Sequence, residues 1–314
     1  MKVAAVQMEP VVADVAANLV RSEALACEAG RTGAELIVLP EFFTTGMGFV
    51  PELADCALPV DGDATQLLSS VARTFGAAVG GSFLCRDPDG QVRNAFLLVD
   101  SDGVVGRHNK DLPTMWENCF YVGAEDDGLI PWQGWDCGVV LCLEFDRTGT
   151  ARRLRGRVDL LLGASAVWSV PDSMPGPVYR ALEVRMAAID RSRPRTARMV
   201  GAPLVEATMC GQLDCATPWM PGLRYRTYLR GGAQVLNHHG QTVARRDRSS
   251  GPGVVTATVH PGRHRPDDAV PDRYWIEPLG QVGNFLWRYQ RLHGQRWYRR
   301  HRRVRPPMSP ATSR

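Results

Sequence analysis

Glu35-Leu36-Ile37-Val38-Leu39-Pro40-Glu41 is a short apolar run closed by a proline and a carboxylate. Proline cannot donate to a central ladder, so the strand it follows has to stop there, leaving Glu41 at the strand's carboxyl end. Working outward, Val3 to Met8 reads as another apolar strand. The segment from about Asp14 to Ala29 carries leucine and alanine at helical spacing, with Gly30 where a helix would stop. Strand, helix and strand within the opening stretch start an α/β layer structure, whose functional groups gather at the carboxyl edge of the strands.

The same reading continues downstream. Ala64 to Phe75 is helical in pattern, and Ala77 to Cys85 and Asn94 to Asp100 are strands joined by the turn sequence Asp87-Pro88-Asp89-Gly90. A second turn, Ser101-Asp102-Gly103, leads into Val104-Val105 and makes a meander that delivers Lys110 after its last strand. Next come a strand at Gly138 to Leu143, a polar helix near Gly149 to Arg157, a strand at Val158 to Leu162 and a helix across Tyr179 to Asp190. Further strands are expected at Arg198 to Glu206, Gln234 to Asn237, Thr242 to Arg245 and Val254 to Val259. Mixed α/β order with extra hairpins predicts two sheets packed together and covered outside by helices.

A chain of 314 residues with 44% hydrophobic content buries a sizeable core. Residues 1–265 are read as one domain and 266–314 as a C-terminal extension rich in arginine and aromatics. Gln7 and Glu9 interrupt the N-terminus before a signal-peptide core develops, and no run is long enough to span a bilayer, so a soluble cytoplasmic protein is expected. The eight cysteines then read as reduced thiols. Only Lys2 and Lys110 are lysines among the 37 basic residues, which makes Lys110 an exception that asks for a compact ammonium where a guanidinium fork does not fit. Residues 288–314 hold nine arginines and no acid, interleaved with Tyr289, Trp297 and Tyr298, and without them the formal charge of +4 becomes −5. Docking on an acidic neighbouring subunit or plain solvation is the preferred account of this stretch. Neither nucleic acid nor membrane is the expected partner, and Pro306 to Pro310 are expected to be disordered.

Three groups carry chemistry. Cys142 ends the apolar strand Gly138-Val139-Val140-Leu141 and is lifted to the sheet edge, where a base and backbone N–H groups can reach its sulfur. Glu41 sits at a strand terminus beside Phe42 and Phe43, surroundings that raise a carboxylate's proton affinity and suit a general base. Lys110 closes the meander, and Glu117, in Trp116-Glu117-Asn118, is an acid suited to hold Lys110 or to orient a substrate nitrogen.

Leu39-Pro40-Glu41, Lys110 with Glu117, and Val140-Leu141-Cys142-Leu143-Glu144 resemble the Glu, Lys and Cys motifs of the nitrilase superfamily, in order and in approximate spacing. Ala4-Ala5-Val6-Gln7-Met8, Ser165-Ala166-Val167-Trp168 after the strand Val158 to Leu162, Arg185-Met186-Ala187-Ala188-Ile189-Asp190 and Gly232-Ala233-Gln234-Val235-Leu236 are similar to further family features. The resemblance implies an α-β-β-α sandwich that commonly dimerises, no cofactor and no metal. It also implies a carbon-nitrogen hydrolase in which Cys142 attacks, Glu41 is the general base, and Lys110 with the Leu143 N–H stabilises the oxyanion. Glu117 is expected to position Lys110, substrate and water. A small amide or N-carbamoyl compound leads as substrate, with a nitrile or acyl transfer as alternatives. Leu143-Glu144 stands where amidases carry Tyr-Asp and nitrilases Trp-Glu, and the family's Phe-Pro pair is replaced around Asp146-Arg147-Thr148-Gly149. The stretch from Arg191 to Arg198 reads as a lengthened connection. Phe43, Trp116, Tyr121, Leu143, Glu144 and Trp168 are the expected pocket walls.

Two rival readings stay on the page. Cys137 with Cys142, Cys210 with Cys215 and His238-His239 offer metal ligands at loose spacing. A catalytically silent scaffold using its basic tail is the other.

Overall fold

The computed structural model describes residues 1–301 except 172, 218–221 and 279, so the proline-rich end expected to be disordered lies outside the described residues. Strands β1 (Lys2–Met8), β2 (Leu36–Val38), β3 (Leu58–Pro59), β4 (Ala78–Arg86), β5 (Val92–Asp100) and β6 (Gly103–Asn109) alternate with helices α1 (Val15–Arg31) and α2 (Asp63–Phe75). Strands β7 (Leu129–Trp132), β8 (Trp135–Leu141) and β9 (Leu160–Ser165) follow, with α3 (Thr148–Leu154) and α4 (Gly176–Val200). The chain continues through β10 (Leu204–Ala216), β11 (Arg224–Arg230), β12 (Ala233–Leu236), β13 (Thr242–Arg246) and β14 (Gly253–Thr258), and α5 spans Gly280–His301.

The strand order is β6-β5-β4-β2-β1-β10-β9-β8-β7, and the sheet folds over on itself at β1 and β10. Those two strands pair only at Gln7 with Thr208 and Met8 with Met209, a narrow joint between two broad halves. Side-chain alternation along the strands then builds the layers. Val3, Ala5, Leu36 and Val38 of one half meet Val139, Leu141, Leu160 and Leu162 of the other in a central core. Ala4, Val6, Ile37 and Leu39 point the opposite way, into a core shared with Leu67, Leu68 and Val71 of α2. On the far side Val140 and Leu161 pack with Leu154 of α3 and Val200 of α4. The architecture is the four-layer α-β-β-α sandwich expected from the sequence.

Helix α1 begins where Asp14 accepts the Ala17 N–H at 3.0 Å, and α2 stops at Gly76, whose φ of 62° is left-handed. Helix α4 corrects the sequence reading, because residues 191–198 belong to it rather than to a lengthened connection. Pro194 removes one helical hydrogen bond but does not end the helix, since Ser192, Arg193 and Thr196 on the same stretch are buried against the sheet. Their polarity hid this inward face: Thr196 Oγ1 donates to the Phe145 carbonyl at 3.1 Å, and Arg193 Nε donates to Glu206 at 3.1 Å. The next strand accordingly starts at Leu204, not Arg198.

Helix α5 lies against the 3-10 turn Met115–Cys119. Gly294 allows the approach, for a Cβ there would sit 2.5 Å from the Asn118 Cβ. Trp297 packs edge-on against Phe49 and Phe120, and the Tyr298 hydroxyl accepts the Val92 N–H at 2.9 Å. Among the described residues no helix is long and apolar enough to cross a membrane.

Candidate active site

The carboxyl ends of β2, β6, β8 and β9 converge on one buried point. Glu41 follows β2, Lys110 follows β6, and both side chains are fully buried, as is Glu117. The Lys110 ammonium donates to Glu41 Oε1 at 2.8 Å, to Glu117 Oε2 at 2.8 Å and to Thr114 Oγ1 at 3.1 Å, which uses all its protons. Asn94 Nδ2 donates to Glu41 Oε1 at 2.9 Å, and the Ala166 N–H, just past β9, donates to Glu41 Oε2 at 3.1 Å. Glu117 Oε2 also accepts the Thr114 N–H at 2.8 Å and the Tyr121 hydroxyl proton. Its other oxygen, Oε1, is buried with no partner among the described residues.

Cys142 opens the 3-10 turn Cys142–Asp146 directly after β8 and has 6% of its surface exposed. Its φ of 49° is left-handed, a conformation costing a non-glycine residue about 1–3 kcal/mol. That bend throws the sulfur off the strand instead of into the next layer. Burial, and then the nearby charge of Glu41, push the thiol's pKa well above its ordinary value, with Lys110 opposing. The sulfur therefore rests protonated and needs a base. Burial raises Glu41 to about 7, against the pull of Lys110, so this carboxyl can hold a proton or release it near neutral pH. Burial works against the Lys110 charge, but Glu117 and Glu41 overcome it and keep the ammonium protonated.

Two expected wall residues are placed differently. Phe43 packs edge-on with Phe83 at 6.0 Å in the core under the outer helices, and the aromatic at the site is its neighbour Phe42. Phe42 has a φ of 56°, which rotates the chain by one position, and its ring lies 5.9 Å from Lys110 Nζ and 6.0 Å from the Tyr121 ring. Glu144 is not free to touch a ligand, because its oxygens accept from the Leu141 N–H at 2.8 Å and the Asp111 N–H at 3.1 Å, and contact His108 Nε2 at 3.0 Å. Trp116 and Trp168 stack at 4.3 Å, and Tyr225, which the sequence did not single out, meets Trp116 edge-on at 5.0 Å. This aromatic group adjoins Glu117 on one side and the Glu41-binding Ala166 on the other.

His108 is the other residue missed. Fully buried, it is gripped between Glu144 and Asp126, and Asp126 also accepts the Asn109 N–H at 2.8 Å. Burial opposes a charge on the ring, yet the two carboxylates raise it to about 9, while burial is likewise outweighed at Glu144, which the His108 charge brings to about 2. The pair stands two residues before Lys110 and two after Cys142, so it pins the strand ends that carry both. Removing one partner of a buried ion pair strands the other charge, so His108→Ala is expected to lower stability by about 3–5 kcal/mol in urea unfolding. The wild-type contribution should be complete below pH 6.5 and lost as pH rises through about 9; an alanine variant with the wild-type alkaline stability profile would remove this role.

Cys137 faces the central core while Cys142 lies beyond the end of the same strand, and among the described residues no group of His, Cys, Asp or Glu is arranged to hold a metal. All eight cysteines are free thiols.

A four-layer sandwich with a thiol, a carboxylate and an ammonium at its strand ends is the arrangement of the nitrilase superfamily. The chain belongs to the carbon-nitrogen hydrolase family, whose profile it matches over residues 2–263. It is 34% identical over 158 residues to a hydrolase in the pqqF 5' region of Pseudomonas protegens, covering 49% of this chain and 55%, about half, of that relative. It is 28% identical to a nitrilase of Pyrococcus abyssi, over 69% of this chain and 85% of that one, and 27% identical to the omega-amidase YafV of Escherichia coli K12, over 69% and 75%. Among solved structures, the amidase from Nesterenkonia sp. AN1 with acrylamide added to its active-site cysteine superposes with a TM-score of 0.63 at 22% identity, over 83% of this chain and 93% of that one. A carbon-nitrogen hydrolase superfamily protein from Xanthomonas campestris gives a TM-score of 0.65 at 22% identity, over 83% and 90%.

Proposed function

We propose that the protein hydrolyses the C–N bond of a small amide or N-carbamoyl compound through a thioester on Cys142. One observation favours an amide over a nitrile: Glu117 Oε1 is a buried carboxylate oxygen without a hydrogen-bond donor among the described residues. Leaving such an acceptor unmet costs roughly 1–3 kcal/mol. The NH₂ of a carboxamide supplies a donor, whereas a nitrile nitrogen carries no proton.

Glu41 takes the thiol proton as the sulfur bonds to the carbonyl carbon, and the C=O electron pair moves to oxygen. The Lys110 ammonium sits beside the developing charge, and to donate to it must exchange its bond to Thr114. The Leu143 N–H, near the start of its turn, is the second donor; each such donor is worth about 3–4 kcal/mol elsewhere. Collapse breaks the C–N bond as the amine takes the proton back from Glu41. Water then attacks the thioester with Glu41 again accepting a proton, and the acid leaves as the thiol is restored. Glu117 holds Lys110 and the substrate nitrogen, and the Trp116, Trp168 and Tyr225 group shapes the acyl side.

Because Glu41 has to be ionised to accept the proton, kcat/KM is expected to fall as pH drops below about 7. A profile flat from pH 5 to 8 would remove Glu41 as the base. The reaction itself is tested by ammonia and amine release from matched aliphatic amides, N-carbamoyl amines and nitriles, with intact-mass detection of the acyl adduct on Cys142. Amides or carbamoyl compounds should turn over at least a hundredfold faster than nitriles. Equal rates, or no turnover of any amide, would refute the reading.

A further inference from the structure

A cavity lies between α5 and the loop that carries the site. It encloses about 520 Å³, within the range of small-molecule sites, and none of Glu41, Lys110, Glu117 or Cys142 lines it. One wall is Asp111, Leu112, Pro113, Tyr121, Val122 and Ala124; the other is the α5 face bearing Arg291, Gln295, Tyr298 and Arg299.

The charges in it are unevenly matched. Asp111 is paired with Arg147. Arg291 and Arg299 form no ion pair with any described residue, and of the remaining lining groups only the exposed Glu125 is an uncompensated acid. The balance is cationic. The two arginines stand eight positions apart, which places their backbones about 12 Å from each other along the helix. The opposite wall contributes the apolar Leu112, Pro113, Val122 and Ala124 beside the polar Asn118 and Tyr121. Two guanidinium forks at the ends of a trough with an apolar side match a ligand with a carboxylate at each end and methylenes between.

We infer that this cavity binds an elongated α,ω-dicarboxylate and that its occupant acts on the hydrolase site as an effector. The route is short. The cavity is built on residues 111–124, which follow Lys110 directly and contain Glu117, and Tyr121 both lines the cavity and donates its hydroxyl proton to Glu117 Oε2. A ligand drawing α5 and this loop together shifts the groups that hold the ammonium.

The probe is suberate, titrated calorimetrically into the full chain, with hexanoate and sulfate as the one-charge-centre comparisons and amide turnover followed in parallel. Suberate should bind saturably and at least tenfold more tightly than either comparison. Arg291→Ala and Arg299→Ala should each weaken it at least tenfold. Arg296→Ala, an exposed arginine of the same helix outside the cavity, should leave it unchanged, as should alkylation of Cys142 with iodoacetamide. Saturating suberate should alter kcat or KM at least twofold in the wild type and not in the Arg291→Ala, Arg299→Ala double variant. Absence of saturable binding, equal binding of hexanoate or sulfate, or equal sensitivity to Arg296→Ala overturns the site. Loss of binding on alkylation would make it an extension of the hydrolase pocket, and unaltered turnover would overturn the effector role.

Discussion

Cys142→Ala is expected to abolish amide turnover, by about 10⁴-fold or more, in a protein that still folds. The nucleophile has no understudy: the other described thiol of that strand, Cys137, faces the central core. The structural loss should be small, because the substitution removes a single sulfur atom and keeps the rest of the buried side chain. Circular dichroism and a melting curve close to wild type, with no acyl adduct by intact mass, complete the expected result. Turnover within tenfold of wild type would mean that another group attacks.

Lys110→Arg should cost kcat/KM about 10³-fold, a larger penalty than its conservation of charge suggests. The ammonium is fully buried and reaches three oxygens at 2.8–3.1 Å as a compact point. A guanidinium is planar and wider, so it overpacks the site at about 1–3 kcal/mol and displaces the Glu41 and Glu117 carboxylates from each other. Steady-state kinetics should show the loss mainly in kcat. Near-wild-type kcat would show that only the charge at this point is needed, and that the choice of lysine over arginine is incidental.

Two of the site groups that the sequence made legible sit where a strand's apolar run breaks: Glu41 and Cys142 close such runs, and that break can be read without knowing the partner strands. Lys110 follows the polar Arg107-His108-Asn109 and was legible instead through the scarcity of lysine in an arginine-rich chain. What stayed hidden depended on backbone handedness or on partners distant in sequence. Phe42 and Phe43 exchange roles because one left-handed residue rotates the chain, and side-chain chemistry gives no sign of that turn. His108 and Glu144 are 36 positions apart, and neither is informative until β6 and β8 are placed. The end of α4 was obscured by its own composition, since a buried face made of Ser192, Arg193 and Thr196 carries no apolar period. Helix α5 was hidden similarly, its contact resting on Gly294 and two aromatics within an arginine-rich run.

Strand β1 has neighbours on both flanks, and over most of its length one of them is β14, from Lys2 against Thr258 to Gln7 against Gly253. The contact at the very start, from the Met1 ammonium to the Val259 carbonyl, joins positions 258 apart. During synthesis β1 therefore cannot be completed until β14 has been made, and its apolar edge is exposed in the meantime. A chain cut short before β14 would leave that flank of β1 unpaired, an open edge that invites association with other chains.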